Sequence, residues 1–191
     1  KMEKNEAISL SESKTGLKNV MVAAGWDLVE FDGKEPADID LSCFLLDITD
    51  KTRQDSDFIF FNNTENENGA VKHKGDNRTG AGEGDDEIIF LDLSQIDYEV
   101  ATIVFVVSIY EAEKKGQDFS DVSNAYIRVL DEDGREELLR FDLAEGFAGE
   151  TAVKIAALER AGNDWYFKAI GTPIKGGLGE IAKKYGMLIA P

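Results

Sequence analysis

From Leu17 onward the sequence is written in short apolar runs, and this punctuation constrains the fold more than any other feature. "LKNVMVAA" (Leu17–Ala24), "DLSCFLLD" (Asp40–Asp47), "DFIFFN" (Asp57–Asn62) and "EIIFLDL" (Glu87–Leu93) are followed by "TIVFVVSIY", "AYIRVL", "ELLRFDL" and "WYFKAIG". Each is rich in β-branched or aromatic residues and bounded by Gly, Asn or Asp, the composition of strands that end in tight turns. Many short strands at this spacing point to a mainly β chain folded as a two-sheet β-sandwich. Asp133-Gly134, between Tyr126–Leu130 and Glu137–Leu143, predicts a hairpin, since Gly accepts the positive φ of a tight turn. The surrounding "DEDG" also carries cation-ligand chemistry, but turn chemistry already explains it. "GGLGEIAKKYG" (Gly176–Gly186) predicts a short C-terminal helix closed by Gly186, with Lys183 and Lys184 where the helix dipole favours positive charge. "ETAVKIAALER" (Glu150–Arg160) stays open on its residues alone: Ala, Leu and Lys favour helix, whereas Val153, Ile155 and Ala157 alternate as in a strand.

No linker, repeat or low-complexity tract divides the 191 residues, so residues 1–191 read as one domain, with residues 1–10 expected to be a loosely ordered N-terminal segment. The longest apolar run, Val100–Tyr110, falls well short of the roughly 18 residues of a membrane span. The N-terminus lacks the apolar centre of a secretory signal, and a cytoplasmic location is expected. A net charge of −17 opposes nucleic-acid and anionic-membrane partners, which reward basic surfaces. Small cations and basic proteins fit it better. The lone Cys43 excludes an internal disulfide and a multi-cysteine zinc site, and is expected in a buried strand. The lone His73, between Lys72 and Lys74, is expected to be exposed and without a catalytic role.

The most concentrated chemistry lies in "GDNRTGAGEGDDE" (Gly75–Glu87), with five carboxylates, four glycines and one arginine in thirteen residues. Two carboxylates about 4 Å apart repel by roughly 4 kcal/mol at an effective dielectric near 20. Such a loop needs a counter-charge or must splay into water. There is no "GK[ST]", and acidic neighbours would repel a phosphate. An EF-hand also fails, because its third, fifth and sixth loop positions would be Arg78, Gly80 and Ala81 and the loop leads into a strand. Carboxylates, an amide at Asn77 and glycine-freed carbonyls are nevertheless what Ca²⁺ prefers. Asp38 and Asp40 in "ADIDLS" point to one side by strand alternation and could complete a site. On these residues alone, a cation loop and a solvated acidic turn stand level.

At this loop the sequence resembles the TerD family of tellurite-resistance-associated and bacterial stress proteins. The resemblance runs collinearly through Gly25-Trp26, "DIDLSCFLLD", "DFIFFNN", "VFVVSIYEAEKKGQDF", "NAYIRVLD", "RFDL" and "GGLGEIAKKYG". It implies one TerD-like β-sandwich domain that binds one or two Ca²⁺ ions, serves in resistance to tellurite and to chemical or oxidative stress, and has no catalytic activity. It implies partners among other Ter-type proteins, which would bring the chain to the inner face of the membrane without inserting it. Carried over by position, the metal ligands are Asp38, Asp40, Asp76, Asn77, Gly84 through its carbonyl, Asp85, Asp86 and Glu87, with Glu111 behind them. Ala81 and Glu83 depart from the family pattern and reduce or lengthen the ligand set. The resemblance also implies that Glu150–Arg160 is a strand paired with "WYFKAIG". The alternative class is a divalent-metal enzyme acting on a phosphorylated or nucleotide substrate, which needs an open coordination position beside a pocket.

Overall fold

The computed structural model describes residues 1–29, 33, 35–76, 84–131, 136–144 and 146–187, with Gly75 and Asp76 through their backbone alone. Among these residues two antiparallel sheets face each other. The first has the order β1-β11-β10-β7-β3-β4, formed by β1 (Ala7–Ser9), β11 (Asp164–Pro173), β10 (Ala152–Ala161), β7 (Thr102–Ile109), β3 (Ile39–Leu46) and β4 (Phe58–Ile59). The second has the order β5-β6-β2-β8-β9, formed by β5 (Val71–Asp76), β6 (Glu87–Asp92), β2 (Asn19–Leu28), β8 (Val122–Asp131) and β9 (Glu137–Asp142). This is the β-sandwich that the spacing of the apolar runs predicts.

The space between the sheets is filled by alternate residues of facing strands, among them Val22, Leu41, Ile89, Phe105, Ile127 and Phe167. The first sheet is covered on its other face as well. There Phe44, Leu46, Phe58, Val104 and Val106 meet Ile181, Ala182 and Tyr185 of the C-terminal helix (Leu178–Lys184). Burial on both faces explains why β3 and β7 read as near-continuous apolar runs rather than alternating ones. Phe44, Phe58 and Phe60 stack with successive ring centroids 4.4 Å apart, and Tyr185 meets Phe44 edge-on at 5.2 Å.

The ambiguous segment is a strand. β10 pairs with both β7 and β11, with a bulge between Lys154 and Ala156, and these two ladders override its helical propensity. The expectation of a loose N-terminus is corrected. β1 pairs with β11, and Met2 (4% exposed) and Leu10 (2%) are in the core. Two apolar anchors and a ladder offset the entropy of ordering that segment. β2 also runs past the predicted Ala24 to Leu28, crossing a bulge between Gly25 and Asp27 opposite β8. Cys43 is fully buried in β3, as expected. The Asp133-Gly134 turn lies outside the described residues, while β8 and β9 on either side of it pair antiparallel. Among the described residues no helix is long and apolar enough to cross a membrane.

Register brings the start of β3, the start of β6 and the end of β7 to one end of the sandwich. Ile39 pairs with Ile109, Ala24 with Glu87, and Asp76 with Glu87 across a bulge in β5. Asp38 and Asp40, residues 84–87, and Tyr110–Glu111 are therefore gathered at this end.

Candidate metal centre

Gly84, with φ +87°, turns the chain into β6 in a conformation that favours glycine. The next residue answers the electrostatic question raised by the loop. Asp85 is buried, and its two oxygens receive Arg128 Nε at 2.9 Å, Arg128 Nη2 at 2.6 Å and the Tyr126 hydroxyl at 2.7 Å. A two-pronged guanidinium contact of this kind is among the strongest charge-assisted hydrogen-bond pairs. The Arg140 guanidinium lies 4.0 Å over the Tyr126 ring, and Gly25 lies against the same phenol, where a Cβ would overlap it. The counter-charge for Asp85 thus comes from β8, and a cation would meet only the lone pairs that these donors leave. Asp86 accepts the Trp26 N–H at 2.8 Å and donates its own N–H to the Ala24 carbonyl at 2.9 Å, fastening the loop's exit to β2.

Glu87 points the other way, into the space between the sheets. Its Oε1 lies 2.8 Å from His73 Nε2, and its Oε2 accepts the Leu41 N–H at 3.2 Å. His73 Nε2 is also 3.0 Å from the Leu41 carbonyl. His73 is only 7% exposed, which corrects the expectation of an exposed histidine. In β5 the side chains of Val71 and His73 face inward while Lys72 and Lys74 face outward, so the flanking lysines say nothing about the histidine between them.

Burial raises the pKa of Glu87 despite His73, and Asp38 adds to the rise. Burial alone would lower the pKa of His73, but Glu87, the Leu41 carbonyl and Asp40 together raise it. The pair therefore holds a proton more firmly than a free imidazole does. Asp40 is pushed up to about 7, first by burial, then by the charges of Glu87 and Asp38. Asp38 is exposed, just outside β3, and its carbonyl accepts the Tyr110 N–H at 2.7 Å. Glu111 sits at φ +51° ahead of a short helix (Ala112–Lys115) and lies 3.6 Å from Lys114. Lys115 pairs with Glu35 at 3.2 Å and feels both Glu111 and Asp38.

Of the sequence-expected ligands, Asp38, Asp40 and Glu87 thus share one electrostatic neighbourhood, while Asp85 and Asp86 are turned to β8 and β2. The backbone of Asp76 lies opposite Glu87; Asn77, Ala81 and Glu83 are outside the described residues. Among the described residues no trio of His, Cys, Asp or Glu is gathered closely enough to hold a metal ion. The donor chemistry nonetheless fits a hard cation. Partly buried carboxylate oxygens that repel one another want positive charge, and the soft donor Cys43 is sealed in the core. A cleft of about 290 Å³, lined by Val29, Phe119, Val122, Leu143 and Phe147 among others, includes none of the expected ligands. Arg128, Tyr126 and His73 are the partners that the sequence reading did not assign. An arginine between core residues Ile127 and Val129 was the available signal for a buried counter-charge on the opposite face of β8.

The chain matches the family model of the TerD domain over residues 1–185. General stress protein 16U of Bacillus subtilis (strain 168) is 44% identical over 188 residues, covering 98% of this chain and 97% of that protein. Tellurium resistance protein TerD of Serratia marcescens is 42% identical over 186 residues, covering 97% of this chain and 96% of that protein. The crystal structure of a homologue of telluride resistance protein from Streptomyces coelicolor A3(2) matches with a TM-score of 0.66 at 23% identity, covering 91% of this chain and 100% of that one. At that identity the likeness is one of fold.

Proposed function

Because the chain belongs to the TerD domain family, we propose that it is a calcium-binding stress-response protein of tellurite and chemical or oxidative stress resistance, acting through Ca²⁺-dependent interaction rather than catalysis. The observation that carries this reading is the meeting of Asp40, Asp38 and Glu87, from two sheets, at one end of the sandwich, where the charges of Glu87 and Asp38 raise the cost of ionising the partly buried Asp40. Bound Ca²⁺ supplies the positive charge that these carboxylates lack. Asp40 and Glu87 would hold it from the β3 and β6 sides, with Asp38 beside them and the oxygens of Asp76, Asn77 and Gly84 completing one or two sites. Asp85 and Asp86 fasten the loop's exit to β8 and β2, and cation binding beside them would change the charge of the surface at this end of the sandwich. That surface would meet Ter-type partner proteins.

Calorimetric titration of the metal-stripped chain with CaCl₂ tests the reading. Heat of binding is expected, together with stabilisation of about 2.7 kcal/mol when free Ca²⁺ is a hundred times the dissociation constant. For a domain of this size that is a rise in melting temperature of roughly 5–10 °C. Asp40→Asn combined with Glu87→Gln should abolish both. No heat and no shift at about 1 mM Ca²⁺, the weak end of protein calcium sites, would refute the proposal.

A further inference from the structure

The edge of the first sheet is unusual beside the acidic end. β4 covers only Cys43 and Phe44 of β3. Two residues earlier, at Leu41, side chains from the other sheet stand where a further ladder residue would be. Glu87 Oε2 takes the Leu41 N–H at 3.2 Å, and His73 Nε2 lies 3.0 Å from the Leu41 carbonyl and 2.8 Å from Glu87 Oε1. Two acceptors converge on one ring nitrogen, which requires the proton on Nε2 and makes that N–H a shared donor. Leu41, His73 and Glu87 thereby close a ring of hydrogen bonds. It satisfies an unpaired strand edge and ties β3 to β5 and β6 at the root of the loop.

We propose that His73 is a positioning residue for cation binding, a role that rests on the calcium reading above. By fixing the rotamer of Glu87 and tethering it to β3, the strand that carries Asp40, the imidazole holds the Glu87 carboxylate in place before any cation arrives. Each Glu87 oxygen keeps a further lone-pair direction beyond the bond it already accepts, so the ring and a bound cation are compatible. Hydrogen-bonded partners of this kind, one step behind the ligands, typically carry about 10- to 100-fold in metal affinity.

The test compares wild type with His73→Leu, which removes the donor, and His73→Gln, which keeps an N–H of similar reach. Calcium calorimetry and sensitised terbium luminescence are read alongside melting curves with and without metal. H73L should bind about 10- to 100-fold more weakly, and H73Q should recover most of that loss. Wild-type affinity in folded H73L would overturn the proposal and leave the histidine a staple between sheets. In that case the melting curves of metal-free and loaded protein would fall equally. Failure of wild type to bind either ion would instead overturn the calcium reading and this proposal with it. Should H73L not fold, nitrogen NMR of the wild-type imidazole decides. The Nε2–H signal is expected in the metal-free protein and should shift when Ca²⁺ is added, and a signal unmoved by saturating Ca²⁺ would overturn the proposal.

Discussion

Raising the pH of the metal-free protein from about 5 to about 8 should destabilise it, and the cause is Asp40. Its carboxyl, ordinarily near 3.8, is raised to about 7 by burial and by the charges of Glu87 and Asp38. A group whose pKa is higher in the folded state binds more protons there than in the unfolded chain. Its contribution is fully present below the unfolded value and disappears as pH rises through the folded one. The window is therefore roughly pH 4 to 7. A shift of about three units corresponds to a ceiling of about 4 kcal/mol at 1.36 kcal/mol per unit, and partial exposure of Asp40 screens this to about 1–2 kcal/mol. At roughly 2–4 °C per kcal/mol for a domain of this size, the melting temperature should fall by about 2–8 °C. The upward shifts of Glu87 and His73 act in the same direction. The downward-shifted Asp47, Asp97, Asp142 and Asp164 gain their stabilisation at lower pH, so they leave this window nearly flat. Melting curves by circular dichroism in chelator, at steps between pH 5 and 8, provide the measurement. Asp40→Asn should remove the larger part of the slope. A flat or rising wild-type profile, or an Asp40→Asn profile as steep as wild type, would refute the reasoning.

Arg128→Ala leaves the Asp85 carboxylate buried without its ion partner and should cost about 3–5 kcal/mol in urea denaturation. A loss under about 1 kcal/mol would mean that the pair contributes no more than a surface bridge. Phe167→Ala, in the fully buried centre of the sandwich, should cost about 3–5 kcal/mol while leaving calcium affinity unchanged in the folded fraction. Gly25→Ala pushes a methyl into the Tyr126 phenol and should destabilise by about 1–3 kcal/mol, a loss that Tyr126→Ala made alongside it should partly relieve.

The strands were legible because burial wrote them. β3 and β7 are apolar on both faces since one side meets the second sheet and the other meets the C-terminal helix. β10 was illegible from its own residues, because its state is decided by two neighbours far away in sequence. Only the family resemblance placed it correctly. The N-terminal segment failed for a related reason: Met2 and Leu10 are separated by polar residues, and no local pattern shows that each has a place in the core. In the site, the acidic loop announced itself, as did Asp38 and Asp40 by their spacing. What stayed hidden was the division of labour among consecutive carboxylates. Asp85 stands in the turn before β6 and meets Arg128, whereas Glu87 is the first residue of that strand and meets His73. Alternation would put residues two apart on the same side, so it could not have suggested this split, and only the pairing of β6 with β2, and of β2 with β8, names the partners. His73 was misread because its neighbours in sequence are lysines, whereas its neighbours in space are Glu87, Leu41 and Asp40.

The central claim is that the carboxylates of Asp40 and Glu87 share a calcium ion at the end of the sandwich. A crystal grown with CaCl₂ and measured for anomalous scattering tests it most directly. The account predicts an ion within about 2.3–2.6 Å of oxygens from both residues, with the His73 to Glu87 hydrogen bond intact. Ordered electron density for both side chains with no ion between them at millimolar Ca²⁺ would contradict it.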